Sequence, residues 1–213
     1  MIYNKEIALD IAGKLLKIKA VKLNSKQPFT WASGIISPIY CDNRKILSYI
    51  EERNFIKNKF AEIVKEKYSD IDVIAGVATG AIAIGALVAD VLQLPFIYVR
   101  SSKKDHGLQN KIEGEITKGQ KVLVIEDLVS TGGSSINAVE ALRNAELNVV
   151  GMLAIYSYNL PVTLENFKKA NCDLTTLTDY ETTVNIALEN DYIQKNEYNA
   201  LIEWRKDPEN WLK

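Results

Sequence analysis

The sequence predicts an α/β fold, a parallel five-stranded sheet flanked by helices. Three observations carry this. From residue 71 onward, short β-branched runs alternate with helix-length segments, the pattern of a parallel sheet covered on both faces. A length of 213 residues suits one full-sized domain that buries a substantial core. Hydrophobic content of 47% and charged content of 25% are ordinary globular values, which excludes disordered and fibrous classes.

The elements follow in order. Ile7, Ile11, Leu15 and Ile18 recur at helical spacing and predict an amphipathic N-terminal helix. Residues 22–34 and 37–42 are rich in turn formers and aromatics, and read as two short strands around a Ser-Gly turn. Ile50 to Tyr68 predicts a charged surface helix with Ile56, Phe60, Ile63 and Val64 facing inward. Core strands are expected at Asp72–Val77, Pro95–Val99, Lys121–Glu126, Val149–Tyr156 and Asp173–Leu177. Helices are expected at about 80–92, 134–145, 161–170 and 180–203. Ser101 to Gly119 is polar and without periodicity, although it lies between two core strands. A long loop in that position is usually functional or mobile.

Charge and cysteine usage narrow the function. The 26 basic and 27 acidic residues leave a net charge of −1, which gives no support for nucleic acid or anionic membrane as a partner. One histidine and two distant cysteines, Cys41 and Cys172, cannot build a His-rich metal site or a disulfide framework; both thiols read as structural. Charged residues interrupt Met1–Ala20, so a secretory signal is not expected. The charge-free run Val73–Ala89 is short for a membrane span, and its glycines suit a strand, a tight loop and a buried helix. A cytoplasmic location is the expectation.

The segment that carries chemistry is Val122 to Ser135, VLVIEDLVSTGGSS. An apolar strand delivers the acids Glu126 and Asp127, and a small-residue loop then opens a helix. Gly132 and Gly133 free the backbone to turn N–H groups inward, and Ser130, Thr131 and Ser134 add hydroxyls. Together with the helix start these are the parts of a phosphate cradle. The acids before it suit sugar hydroxyls, so a ribose 5-phosphate satisfies both halves. Neither a Walker loop nor a dinucleotide fingerprint is present.

Ile125 to Ser135 resembles the signature of the type I phosphoribosyltransferases, which bind 5-phosphoribosyl-1-diphosphate (PRPP). The resemblance implies that Glu126 and Asp127 hold the ribose hydroxyls, and that Leu128, Val129, Ser130, Thr131, Gly132, Gly133 and Ser134 complete the PRPP site. Two further motifs resemble the orotate-specific members: Phe29 to Asp42, FTWASGIISPIYCD, as the hood, and Arg100 to Gly107, RSSKKDHG, as the catalytic loop. The implied organisation is a single domain over 1–213, with the hood at about 20–45, the PRPP-binding core at about 70–178 and a mobile catalytic loop at about 100–119.

By the same resemblance, Arg100, Lys104, His106 and Asp127 are the catalytic residues, the first three also meeting PRPP, and Ser130 meets orotate. Magnesium is implied as well, by the diphosphate and the two sugar-side acids, held through substrate oxygens and waters. A homodimer sharing the catalytic loop between subunits is also implied. The sequence departs from many members at Ala32, at Ala78-Thr79-Gly80 and at Ile155 to Asn159, where they carry a lysine, a lysine and an arginine respectively. The partner of the orotate carboxylate is therefore unassigned. Tyr156 and Tyr158 could line the base pocket or pack at its rim.

Two alternatives stay open on the residues. One keeps PRPP but takes a purine or uracil, against which the hood motif speaks. The other is a PRPP-sensing transcriptional regulator, which would want a DNA-binding extension or basic face and no intact catalytic loop.

Overall fold

A computed structural model describes residues 2–31, 34–101 and 111–212. The chain opens with α1 (Lys5–Lys17), whose Asn4 side chain caps the first turn by accepting from the N–H groups of Glu6 and Ile7. Ile11 and Leu15 of its apolar stripe are fully buried, and Ile7 packs partly buried against the core. Four short strands follow: β1 (Val21–Leu23), β2 (Phe29–Thr30), β3 (Ile36–Ser37) and β4 (Ile39–Cys41). They form two antiparallel ribbons, β2 with β3 and β1 with β4. Gly34 turns the first ribbon at a φ of 86°, a conformation that favours glycine. The expected pair of short strands is thus β2–β3, with a second ribbon beside it; Ser33 of the expected Ser-Gly turn lies outside the described residues.

A 3₁₀ turn (Asn43–Ser48) leads into α2 (Ile50–Lys67), where Ile56, Phe60, Ile63 and Val64 are buried as their spacing predicts. The core alternates strand and helix: β5 (Val73–Val77), α3 (Gly80–Leu92), β6 (Phe96–Val99), β7 (Ile112–Glu113), β8 (Lys121–Val129), α4 (Gly133–Asn144), β9 (Asn148–Ser157), α5 (Pro161–Lys169) and β10 (Leu174–Asp179). Helices α6 (Tyr180–Glu189) and α7 (Lys195–Lys206) close the chain.

The main sheet runs β10-β9-β8-β5-β6-β7. Its first five strands are parallel neighbours, as predicted, and β7 adds a sixth on the edge, antiparallel to β6. The five-strand count is corrected by this two-residue strand inside the segment read as a loop. Two residues are too few to show a period, so no pattern in sequence marks it. The expectation of one helix over 180–203 is corrected as well. The chain breaks between α6 and α7, where Asp191 takes a φ of 57° and Gln194 starts a capping box with Glu197.

Two apolar clusters lie on the two faces of the sheet. One packs α1, α2, α3 and the C-terminal helices; the other packs α4 and α5. Aromatics pin the hood to this body. Trp31 sits 4.7 Å from Tyr158 and 5.6 Å from Trp204 between ring centroids. Its indole N–H donates to the Ile39 carbonyl at 3.0 Å, and that of Trp204 to the Ile36 carbonyl at 3.1 Å. Tyr156 and Tyr158 are buried in this cluster, so neither sits at a wet rim. Cys41 and Cys172 are free and buried, and burial pushes the Cys172 thiol up to about 11. Among the described residues no helix is long and apolar enough to cross a membrane.

Candidate active site

The site lies at the C-terminal ends of the parallel strands, where an open α/β sheet places its ligands. Strand β8 carries the acid pair just before its last two residues, Leu128 and Val129, and the chain then turns through Ser130–Gly132 into α4. Gly132 has a φ of 88°, and a Cβ there would lie 2.7 Å from Phe167, so both backbone and space require glycine. Helix α5 clasps the loop from behind. Thr163 Oγ1 donates to the Ser130 carbonyl at 2.5 Å, and Asn166 Nδ2 to the Thr131 carbonyl at 3.0 Å. With its carbonyls held outward, the loop leaves the first N–H groups of α4 for an anion.

The two acids differ. Glu126 is 4% exposed; its Oε2 accepts from the Ser135 hydroxyl at 2.9 Å and its Oε1 from the Asp127 N–H at 3.0 Å. Burial, and then the neighbouring Asp127 charge, hold its carboxyl well above the usual range. Asp127 reaches further into the cleft. Burial raises it too, while hydrogen bonds from Glu126 and the backbone and the charge of Arg44 oppose that rise.

A cleft of about 300 Å³ opens in front of the pair, walled by Asp42 and Arg44, by Thr79 and Gly80, and by Ser134. Gly80, at the start of α3, is what lets Asp127 stand there, since a Cβ would lie 2.2 Å from Asp127 Oδ2. From the hood side, buried Asn43 donates through Nδ2 to the Asp127 carbonyl at 2.6 Å. Arg44 Nε donates to Asp42 Oδ1 at 2.7 Å.

Beyond Ala78 the cleft continues past Arg100 and Lys111. These two residues bracket the segment 102–110, and the Arg100 N–H donates to the Lys111 carbonyl at 2.8 Å. The Arg100 guanidinium pairs with Glu113 on β7 at 3.3 Å.

The structure thus brings together Glu126, Asp127, Leu128, the loop from Ser130 to Ser134, and Arg100. Val129 is buried beneath the loop and supports it through the core. Lys104 and His106 lie outside the described residues. Asn43, Arg44, Thr163, Asn166 and Lys111 were missed by sequence reasoning. Asn43 and Arg44 directly follow the hood motif, a signal that could have found them; Thr163 and Asn166 reach the loop only through the packing of α5.

Among the described residues no cluster of three or more His, Cys, Asp or Glu side chains could hold a metal ion. The donor set at the cleft is instead a few hard carboxylate oxygens, which suits a magnesium ion held mainly by substrate oxygens and water.

The phosphoribosyl transferase domain family matches residues 48–187. An orotate phosphoribosyltransferase of Bacteroides thetaiotaomicron is 57% identical over 94% of both chains. The chain belongs to the orotate phosphoribosyltransferases. Another member of that family, from Cytophaga hutchinsonii, is 49% identical over the full length of both chains. The crystal structure of orotate phosphoribosyltransferase from Aeropyrum pernix superposes with a TM-score of 0.74 at 26% identity, over 86% of this chain and 99% of that one. The family's type I fold accounts for the strand order and for the acid pair ahead of the α4 cradle.

Proposed function

We propose that the chain transfers the 5-phosphoribosyl group of PRPP to orotate, giving orotidine 5′-monophosphate and diphosphate in the de novo synthesis of UMP. The observation that carries this reading at the site is the Glu126–Asp127 pair leading straight into the clasped loop of α4. One ligand with vicinal hydroxyls and a 5′-phosphate satisfies both.

In this reading Glu126 and Asp127 hold the ribose hydroxyls, residues from Ser130 to Ser134 form the 5′-phosphate loop, with Leu128 and Val129 completing the PRPP site beneath it, and Ser130 also meets orotate. As the bond from C1 to the diphosphate breaks, positive charge grows on the ribose and negative charge on the leaving group. Asp127 faces the first, and Arg100, with Lys104 and His106 from the adjoining segment, serves the second. Magnesium, when bound with the diphosphate, neutralises part of its charge. Asp127 and waters would complete its shell.

Several further points belong to the same proposal: a homodimer with the 100–119 loop shared between subunits, a cytoplasmic location, and neither nucleic acid nor membrane as partner. The assay is the ultraviolet loss of orotate with PRPP and magnesium, run beside uracil, adenine and hypoxanthine. Consumption of orotate alone, abolished without PRPP, is expected. Turnover of another base would overturn the base assignment, and PRPP binding without turnover would favour a regulator.

A further inference from the structure

We infer that Arg44 binds the diphosphate end of PRPP and so helps to fix the leaving group. The inference rests on the reading of this cleft as the PRPP site.

Placement comes first. Asn43 is 1% exposed, and its amide donates to the Asp127 carbonyl at 2.6 Å, which ties the 3₁₀ turn to the end of β8. The next residue is thereby carried to the mouth of the cleft, where Arg44 faces Asp127, Thr79 and Gly80. Orientation comes second. Asp42 takes Nε at 2.7 Å, and among the described residues no hydrogen bond occupies the two terminal nitrogens. A guanidinium held by one edge, with its outer nitrogens open, is arranged for bidentate contact with an oxyanion. The side chain is 58% exposed, so the pair with Asp42 adds little to folding. Its location is better explained by something that enters the cleft.

The ligand group follows from the rest of the site. With the 5′-phosphate at the α4 loop and the ribose hydroxyls at the acid pair, the substituent on C1 points away from that loop. It points toward Ala78–Gly80 and Arg44. In the reactant that substituent is the diphosphate. The loop Ala78-Thr79-Gly80 has no cationic side chain. The cleft wall also carries the carboxyl groups of Asp42 and Asp127, which would repel the diphosphate. Among the described residues lining this part of the cleft, Arg44 is the cation.

The test compares Arg44→Ala, Arg44→Met and Arg44→Lys with the wild type. Forward kinetics give KM for PRPP and for orotate separately, and calorimetry gives the affinity for pyrophosphate with magnesium. Loss of a charge-assisted, bidentate contact should raise KM for PRPP and weaken pyrophosphate by about 10- to 100-fold in the alanine and methionine variants. KM for orotate should stay within about twofold by the same reasoning, since the contact is to the other substrate. Lysine should recover part of the loss, because it restores a point charge without the fork. Methionine keeps the aliphatic stem, so a folding defect confined to alanine leaves the comparison intact. A rise in KM for orotate alone, or unchanged pyrophosphate affinity, would overturn the assignment. A wild type that fails to consume orotate would overturn the parent reading instead, and the pyrophosphate titration would still judge Arg44.

Discussion

The two ends of the cleft are held in opposite ways. At the phosphate end the backbone is fixed from several sides. Thr163 and Asn166 hold its carbonyls, Phe167 closes against Gly132, and Ser135 ties the first turn of α4 to Glu126. At the leaving-group end the charged groups are long side chains in partly exposed pairs, Arg44 with Asp42 and Arg100 with Glu113. On the proposed function the first arrangement recognises a group that is the same before and after reaction, so rigidity costs nothing in turnover. In the proposed reading the second gains and releases a diphosphate, and surface pairs of small net worth exchange readily for a substrate oxyanion. Asp127 stands where the two meet.

That contrast can be broken at its junction first. Asp127→Asn removes the negative charge facing the developing cation, and steady-state turnover should fall about 10²- to 10³-fold. Gly80→Ala should act in the same direction, because its Cβ would lie 2.2 Å from Asp127 Oδ2. Normal turnover in either variant would remove Asp127 from its place. Breaking the rigid end instead should show mainly as stability. Gly132→Ala forces a strained φ against Phe167 and should cost about 1–3 kcal/mol, read as a lowered melting temperature, and should raise KM for PRPP.

Glu126→Gln sharpens the comparison through pH. The carboxyl is held above its ordinary range in the folded chain, chiefly by burial. The unfolded chain therefore ionises it first, and the stability it allows is full below the ordinary carboxylate range and lost as pH rises through the raised value. Glutamine is free of that loss, so the variant should melt higher than the wild type at neutral pH, with a gap that closes on acidification, while activity falls. An equal gap at all pH values would contradict the burial argument. The smallest effect belongs to Thr163→Val, which leaves the Ser130 carbonyl without its hydroxyl partner and should cost about 1 kcal/mol with a modest rise in KM for PRPP.

Much of this was legible in the sequence where the pattern was long or the residue types unusual. The five parallel strands, the N-terminal helix and the buried face of α2 follow from periodicity. The acid pair and the loop after it follow from spacing along a single strand-turn-helix unit. What the sequence could not display is what arrives from elsewhere in the chain. Thr163 and Asn166 look like ordinary surface residues of a helix until packing carries them to the phosphate loop. Asn43 and Arg44 follow the hood motif yet acquire meaning only through the contact with Asp127, more than 80 residues away. The edge strand β7 was hidden by its length, and the break between α6 and α7 by the apolar residues on both sides of it. Tyr158 read as a candidate for the base pocket, but Trp31 and Trp204 claim it for the core.

The most direct test of the division is to titrate ribose 5-phosphate and magnesium pyrophosphate separately into the wild type, Gly132→Ala and Arg100→Ala by calorimetry. The account predicts a crossed pattern. Gly132→Ala should lose affinity for ribose 5-phosphate and keep that for pyrophosphate, and Arg100→Ala should do the reverse. Both ligands weakened together by either variant would show that the cleft is not divided into a phosphate end and a leaving-group end.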